Sequence, residues 1–524
     1  MYESPQIDMG YDISDYNAIY PPYGTMDDMD TLIKACHDRG IRILCDLVIN
    51  HCSDQHQWFK ESRSSKDNPK RDWFIWRPAK YDAQGKRHPP NNWRSCFNES
   101  AWEWDEKTQE YYLHLFVVGQ PDFNWTNPEC RKAIIDSAVK WWLDKGVDGF
   151  RIDTASLYSK PMDFPDAPVV DPRTEHQPAQ DLFCNGPKLA EYLRELGQVF
   201  ASYDAMTVGE FPNAPLSRSI EATRASDPQM SMNFHFGICD FGRDMERDHY
   251  QLKHPDERRL SSLKKLISDL QRHVEGTDSW PSFFLENHDI ARSISRYADD
   301  SPENRVASGK LLACLMASMS GTLFLYQGQE IGTINFSADW SIEDYKDIAS
   351  INYWKLLKSR NASENDLAHA KVGLSQLARD HARTPMQWDS EEHAGFTTNP
   401  KGPWMRVNDT YKTINVAQQD KDPNSVLNFY RKALTLRSKA IDVLGHGLFR
   451  MSDAANDETL VYAKVGHGDR LAVIALNFST NPQTWQLPSE AKSRAFKLAL
   501  GTHEGFPSVE DKLKPLEGRI YLAA

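Results

Sequence analysis

Six short apolar runs recur up to residue 330, and each ends in polar or charged residues. They are RILCDLVIN (42–50), VDGFRI (147–152), AMTVGE (205–210), MSMNFHF (230–236), SFFLENHD (282–289) and TLFLYQGQE (322–330). Helical patterns separate them. PECRKAIIDSAVKWWLDKG (128–146) has an amphipathic period that Gly146 can stop, and a second helix is expected around 187–202. Repeated strand–helix units predict a parallel sheet with both faces covered, so the class is α/β. With this many units, a closed (β/α)8 barrel is the leading architecture and a doubly wound sheet the second.

The polar tails carry the functional signal, because barrel chemistry sits at the C-terminal ends of the strands. Asp46, Asp153, Glu210 and Asp289 all fall there. In GVDGFRIDTAS (146–156), alternation puts Arg151 and Asp153 on one face and Ile152 on the other. A structural ion pair is the simplest account of one such pair. Three acids on one rim, Asp153, Glu210 and Asp289, beside Arg151 and His288, ask for more. Crowded like charges destabilise a fold, and sites that use their shifted pKa values are a common reason to keep them. Glycoside hydrolysis is the reaction that sets two carboxylates across one bond. One protonates the departing oxygen, and the other attacks the anomeric carbon or activates water. Carboxyls roughly 5–5.5 Å apart imply retention and roughly 6.5–9.5 Å inversion.

The 524 residues are too many for one simple core. Residues 51–122 are rich in Trp, Pro, Asn and charge, and read as an insertion. From 442 onward short runs such as TLVYAKV and RLAVIALNF are broken by Gly, Asn, Asp and Pro, which predicts an antiparallel β-sandwich domain over 442–524. The catalytic barrel then occupies 1–50 and 123–441. A net charge of −13 without a basic block argues against nucleic acid or an anionic membrane as partner. No apolar stretch reaches membrane-spanning length, and MYESPQIDMGYDI lacks the pattern of a signal peptide. Eight cysteines with no CxxC pair suggest neither a zinc site nor a disulfide framework. The expectation is a cytoplasmic monomer acting on a neutral small molecule. Fifteen Trp, twenty Tyr and twenty-three Phe suit stacking on sugar rings.

RILCDLVINH, GFRIDTA, TVGEF and LENHD resemble, in order, the four signature regions of the α-amylase family of glycoside hydrolases (glycoside hydrolase family 13). QPDFNW (120–125), IDMGYDISDY (7–16) and HARTPMQWD (381–389) resemble further segments of its α-glucosidase and oligo-1,6-glucosidase branch. The similarity runs over nearly the whole chain and is strongest to fungal maltases. It implies that Asp153 is the nucleophile, with Arg151 holding it ionised and oriented. It implies that Glu210 is the general acid and base and Asp289 the third acid, which grips sugar hydroxyls. His51 and His288 would donate to those hydroxyls. Asp8 and Arg383 resemble the pair that seals the pocket around the terminal glucose, which means exo action. Tyr11 resembles the aromatic platform beneath that glucose, and Phe116 a second wall. Thr154 borders the space for the second sugar. Relatives preferring α-1,6 links tend to carry Val there, and α-1,4-preferring ones Thr or Ala.

The expected function is therefore an exo-acting retaining α-glucosidase on maltose-type α-1,4-linked oligosaccharides, sucrose being a further candidate. The alternatives are an isomaltase or oligo-1,6-glucosidase, a glucosyl-transferring relative, and an inactive truncated homologue. Family members begin earlier, with a first strand, first helix and second strand before the segment matching MYESPQIDMGYD. The barrel is expected to lack these elements and so to expose two parallel edges. Many relatives carry a calcium site on the first strand-to-helix loop. That loop is absent here, so no cofactor and no metal ligand are expected.

Overall fold

Each of the six runs forms a strand. In the computed structural model, β1 (Leu44–Leu47), β2 (Gly149–Ile152), β3 (Met206–Phe211) and β4 (Met232–His235) build one parallel sheet, with neighbours in the order β4-β3-β2-β1. β5 (Ser282–Phe283) and β6 (Thr322–Leu323) form a separate parallel pair. The structure describes residues 1–172, 174–244, 250–492, 494–505 and 507–524. They divide into two compact units. The first comprises Met1–Phe236, Thr277–Ser279 and Asp347–Leu356; the second comprises Gly237–Gly276, Trp280–Lys346 and Leu357–Ala524. The stretch 123–441, expected to act as one body with 1–50, thus contributes to both.

In the first unit the strand pattern sets the layers. Phe150 and Ile152 of β2 are fully buried in a core with Trp142, Leu196 and Phe200. Arg151 and Asp153 take the opposite face, as alternation requires. Gly149 lets β2 and β3 approach: its φ is +150°, and a Cβ there would sit 1.8 Å from the Met206 carbonyl oxygen. The segment Pro128–Lys145 is helical, with a π-helical stretch over Ile135–Lys140. The Asn127 side chain caps it by accepting from the amides of Glu129 and Cys130, and Gly146 ends it at φ +101°. Tyr2–Glu3 and Asp15–Ile19 pair as a short antiparallel ribbon, which the sequence reading had not named.

The expected insertion at 51–122 does not close on itself. Trp76–Arg77, Glu110–Leu113 and Trp102–Asp105 make a three-stranded antiparallel sheet. The core beneath it is completed by Leu157, Phe164, Ala179 and Phe183 from the loop after β2. Trp93 Nε1 donates to the Pro165 carbonyl at 2.8 Å, which ties the two segments.

The C-terminal region corrects the expected sandwich. Among the described residues it is a single five-stranded antiparallel sheet, β7 (Leu448–Met451), β8 (Thr459–Val465), β9 (Leu471–Asn477), β10 (Phe496–Gly501) and β11 (Gly518–Ala523), ordered β7-β8-β9-β11-β10. One face, with Tyr462, Ile474 and Ile520 in register, meets the buried helix Arg305–Ser318. The other face, with Ala463, Val473 and Tyr521, is covered by Trp485, Leu487 and Val509 from loops. Loop side chains do the work of a second sheet. Among the described residues no helix is long and apolar enough to cross a membrane.

Lys464 follows Tyr462 on the helix-facing side and is fully buried. Its ammonium bonds to the Ser320 hydroxyl, which itself donates to the Gly447 carbonyl at 2.8 Å. Burial, with Arg437 and Arg450 nearby and Glu275 only partly offsetting them, pushes its pKa down to about 7. The unfolded chain binds this proton up to a pH of about 10.4, so it holds more protons than the fold between the two values. Stability from this group is therefore full above the unfolded value and is lost as pH falls through 7. Urea unfolding of wild type and Lys464→Met should show the difference in stability rising by about 1.4 kcal/mol per pH unit between roughly pH 7 and 9 in favour of wild type. A flat difference would show that Lys464 keeps its proton in the fold.

Candidate active site

Register explains why the charges at the strand ends meet. Asp46 of β1 pairs with Arg151 of β2, and Gly209 of β3 pairs with Ile152. The next residues outward, Asp153 and Glu210, therefore stand at neighbouring strand ends. Arg151 joins all three acids. Its Nη1 donates to Asp46 Oδ1 and to Asp153 Oδ1, each at 2.8 Å, and its Nη2 pairs with Glu210 Oε1. One guanidinium presents five donors in a planar fork, which suits it to several carboxylates at once. Arg151 is held well above the usual arginine range: burial works against the charge, and Glu210, Tyr11, Asp46 and Asp153 outweigh it.

Asp153 is buried, and burial raises its pKa despite the opposing pull of Arg151 and His51. Its backbone is fixed on both sides. The Asp153 amide donates to the Leu47 carbonyl at 3.0 Å, and the Tyr158 hydroxyl donates to the Asp153 carbonyl at 3.1 Å. Thr154 touches both buried carboxylates: its hydroxyl donates to Asp153 Oδ2 at 3.1 Å, and its amide donates to Glu210 Oε2 at 3.5 Å. It does so at φ +42°, ψ 42°. That left-handed conformation is an outlier for a β-branched residue, and such strain of ~1–3 kcal/mol gathers at functional sites.

The remaining first-unit candidates cluster around this centre. Tyr11 lies under the Arg151 guanidinium, 5.6 Å from ring centroid to Cζ, and its hydroxyl donates to Asp46 Oδ2 at 3.4 Å. His51 is buried. The Asn50 side-chain amide donates to its Nδ1 at 3.3 Å, which leaves the proton on Nε2, where it reaches the Tyr11 carbonyl at 3.1 Å. Phe116 packs on the His51 ring at 4.9 Å between centroids. Asp8 is buried and accepts from Gln120 Nε2 at 3.1 Å.

His288, Asp289 and Arg383 belong to the second unit. Asp289 Oδ1 accepts from Arg383 Nη2 at 2.8 Å, and Arg379 Nε lies 3.1 Å and His288 Nε2 3.5 Å from it. Arg383 Nε also donates to the His288 carbonyl at 3.0 Å. Asp8, expected as a partner of Arg383, lies in the first unit and Arg383 in the second.

Asp46, Arg379 and Gln120 were absent from the sequence-based set. Asp46 was noted at a strand end, but only pairing register brings it to Arg151. Arg379 lies four residues before Arg383, one helical turn, a spacing that could have drawn attention. Gln120 opens the QPDFNW segment, whose resemblance drew attention to the stretch but not to this side chain. Among the described residues no group of three His, Cys, Asp or Glu side chains is placed to hold a metal ion. One cation site is filled from within the chain. The buried Lys160 ammonium sits among Asp122 Oδ2 at 2.8 Å, Asn50 Oδ1 at 3.0 Å and the Leu157 carbonyl at 2.7 Å.

The alpha-amylase catalytic-domain family matches residues 1–447. An alpha-glucosidase of Candida albicans is 48% identical over 526 residues, spanning 100% of this chain and 90% of the relative. An oligo-1,6-glucosidase of Saccharomyces cerevisiae is 45% identical over 534 residues, spanning 100% and 89%. Among solved structures, an isomaltulose synthase of Erwinia rhapontici superposes with TM-score 0.91 at 35% identity, covering 100% of this chain and 90% of its own. A trehalose-6-phosphate hydrolase of Bacillus licheniformis gives 0.90 at 34%, covering 100% and 91%. The fold class is thus the (β/α)8 barrel of that catalytic domain followed by an antiparallel β-sheet region.

Removing Arg151 should expose how much the centre depends on it. Arg151→Met leaves Asp153 buried without its cation, so its folded pKa rises further above the unfolded value. A group raised in this way stabilises below its unfolded pKa and loses that contribution as pH rises through the folded one. The variant should lose about 3–5 kcal/mol near pH 7 by urea unfolding and recover part of it near pH 5. Equal loss at both pH values would mean that packing, not charge, is what Arg151 supplies.

Proposed function

The chain belongs to the alpha-amylase family of glycoside hydrolases, and from that premise we propose that it is an exo-acting, retaining α-glucosidase releasing glucose from the non-reducing end of maltose-type α-1,4-linked oligosaccharides. The observation that carries the reading is the shared hold on two carboxylates. Asp153 and Glu210 both touch the Arg151 guanidinium and both touch Thr154. Such sharing favours the short carboxyl spacing of retaining enzymes, roughly 5–5.5 Å, over the longer spacing of inverting ones.

Asp153 is the nucleophile. Oδ1 stays on Arg151 and keeps the carboxylate oriented, while Oδ2, held only by the Thr154 hydroxyl among the described residues, attacks the anomeric carbon. Glu210 gives its proton to the departing glycosidic oxygen and then takes one from the water that cleaves the glycosyl ester. The ion pair with Arg151 occupies Glu210 Oε1. Substrate entry must therefore part Glu210 from Arg151 before it serves as acid. Asp46 and Asp153 remain to occupy the guanidinium. Asp289 is the third acid, and His51, His288, Tyr11, Phe116, Asp8 and Arg383 bind the terminal glucose, as the family resemblance implies.

Thr154 supports the α-1,4 preference, since the resemblance sets this residue beside the second sugar, where α-1,6-preferring relatives carry Val. Oligo-1,6-glucosidases at 45% identity lie between the α-glucosidase at 48% and others at 43–44%, so linkage is the point to test. The purified chain should release glucose from maltose faster than from isomaltose, with the α-anomer formed first by NMR. Asp153→Asn should reduce the rate by about a thousandfold or more. Thr154→Val should shift the maltose/isomaltose ratio toward isomaltose by ~1–3 kcal/mol in kcat/KM. A wild-type preference for isomaltose would reverse the linkage assignment, and β-glucose as first product would overturn retention.

A further inference from the structure

A cavity of about 190 Å³ lies in the first unit, outside the carboxylate cluster. Its apolar lining includes Ile75, Phe123, Pro161, Met162 and Pro187. A cavity of about 150 Å³ accommodates a benzene-sized ring, so the space suits one ring. One feature asks for an acceptor group on that ring: Lys188, on the lining, is exposed and among the described residues has no ion-pair partner.

The same walls lead directly to the candidate active site. Trp125 and Tyr158 line the cavity stacked face to face, with centroids 4.4 Å apart and planes 1° off parallel. The Tyr158 hydroxyl is the donor that holds the Asp153 carbonyl. Lys160, also on the wall, holds Asn50, which sets the proton position on His51. Displacing either wall side chain would move a group that the carboxylate centre depends on.

We propose that this cavity is a second small-molecule site, taking a small aromatic carboxylate whose occupancy alters turnover without competing with sugar. The binding part stands on the cavity alone; the turnover part rests on the α-glucosidase reading. Benzoate is the probe. Saturation-transfer NMR on the full chain should show benzoate binding with a dissociation constant on the order of 1 mM, as expected for a ligand of its size. Saturating glucose should leave the signal unchanged. Met162→Trp, at a half-exposed position, should fill the cavity and abolish binding, and Lys188→Glu should weaken it about tenfold. Benzoate should lower kcat on maltose by about twofold or more while KM stays constant, and Lys188→Glu should keep basal turnover but lose this response. Displacement by glucose, no binding, or equal binding to Met162→Trp would overturn the site. Binding without a change in kcat would overturn the coupling. A ligand-free chain inert toward maltose would overturn the α-glucosidase reading, and the NMR arm would still decide the cavity.

Discussion

The first unit is arranged around one guanidinium. Arg151 arises from the inward face of β2 because Phe150 and Ile152 claim the outward one, and pairing register then sets Asp46 on one flank and Glu210 on the other. Without the cation, three acids would crowd at the ends of three adjacent strands, and each buried charge would carry several kcal/mol of desolvation penalty. With it, the cluster is held together by bonds of 2.8 Å to Asp46 and Asp153 and by the Glu210 pair. The arginine therefore serves two ends. It makes the acidic rim compatible with folding, and it holds the three carboxylates in place relative to one another.

The chain meets the problem of buried cations in three different ways. Lys160 has a formal partner in Asp122, both fully enclosed, and its remaining donors go to Asn50 and Leu157. Arg437 has no acid partner among the described residues. It satisfies itself on the carbonyls of Ala317, Met319 and Gly321, where helix Arg305–Ser318 ends, and burial pushes its pKa down to about 10. Lys464 has a hydroxyl, two arginine neighbours and only partial compensation from Glu275, and its charge is lost near neutrality. Hydrogen-bond supply separates the cases. Carbonyl oxygens at a helix end carry partial negative charge, and a single serine does not replace them.

Much of the fold was legible because strand signals are local. All six runs named from alternating polarity and apolar content became the six parallel strands, and Gly146 ended its helix through a positive φ that glycine accommodates. What was missed depends on contacts distant in sequence. The insertion at 51–122 borrows half its core from 157–184, and no local pattern declares which loop will cover an apolar face. Likewise the C-terminal strands could be counted, yet whether their second face meets a sheet or loops turns on Trp485 and Val509, far from any strand period. Asp46 shows the same limit at the site. Its residue type and strand-end position were visible, but its partner was fixed by register.

Thr154 joins the questions of fold and function. A threonine at φ +42° is held against its own preference, so neighbouring contacts must supply what the conformation costs. Those contacts are Asp153 Oδ2 for the hydroxyl, Glu210 Oε2 for the amide, and the Leu157 amide donating to its carbonyl at 2.9 Å. In an ordinary extended or right-handed conformation the amide and hydroxyl could not both meet carboxylates from two different strands in this way. The turn after β2 thus fixes the two acids relative to each other through a single residue. A change there alters the hold on both carboxylates at once, so the turn after β2 and the alignment of the acids are physically linked at this position.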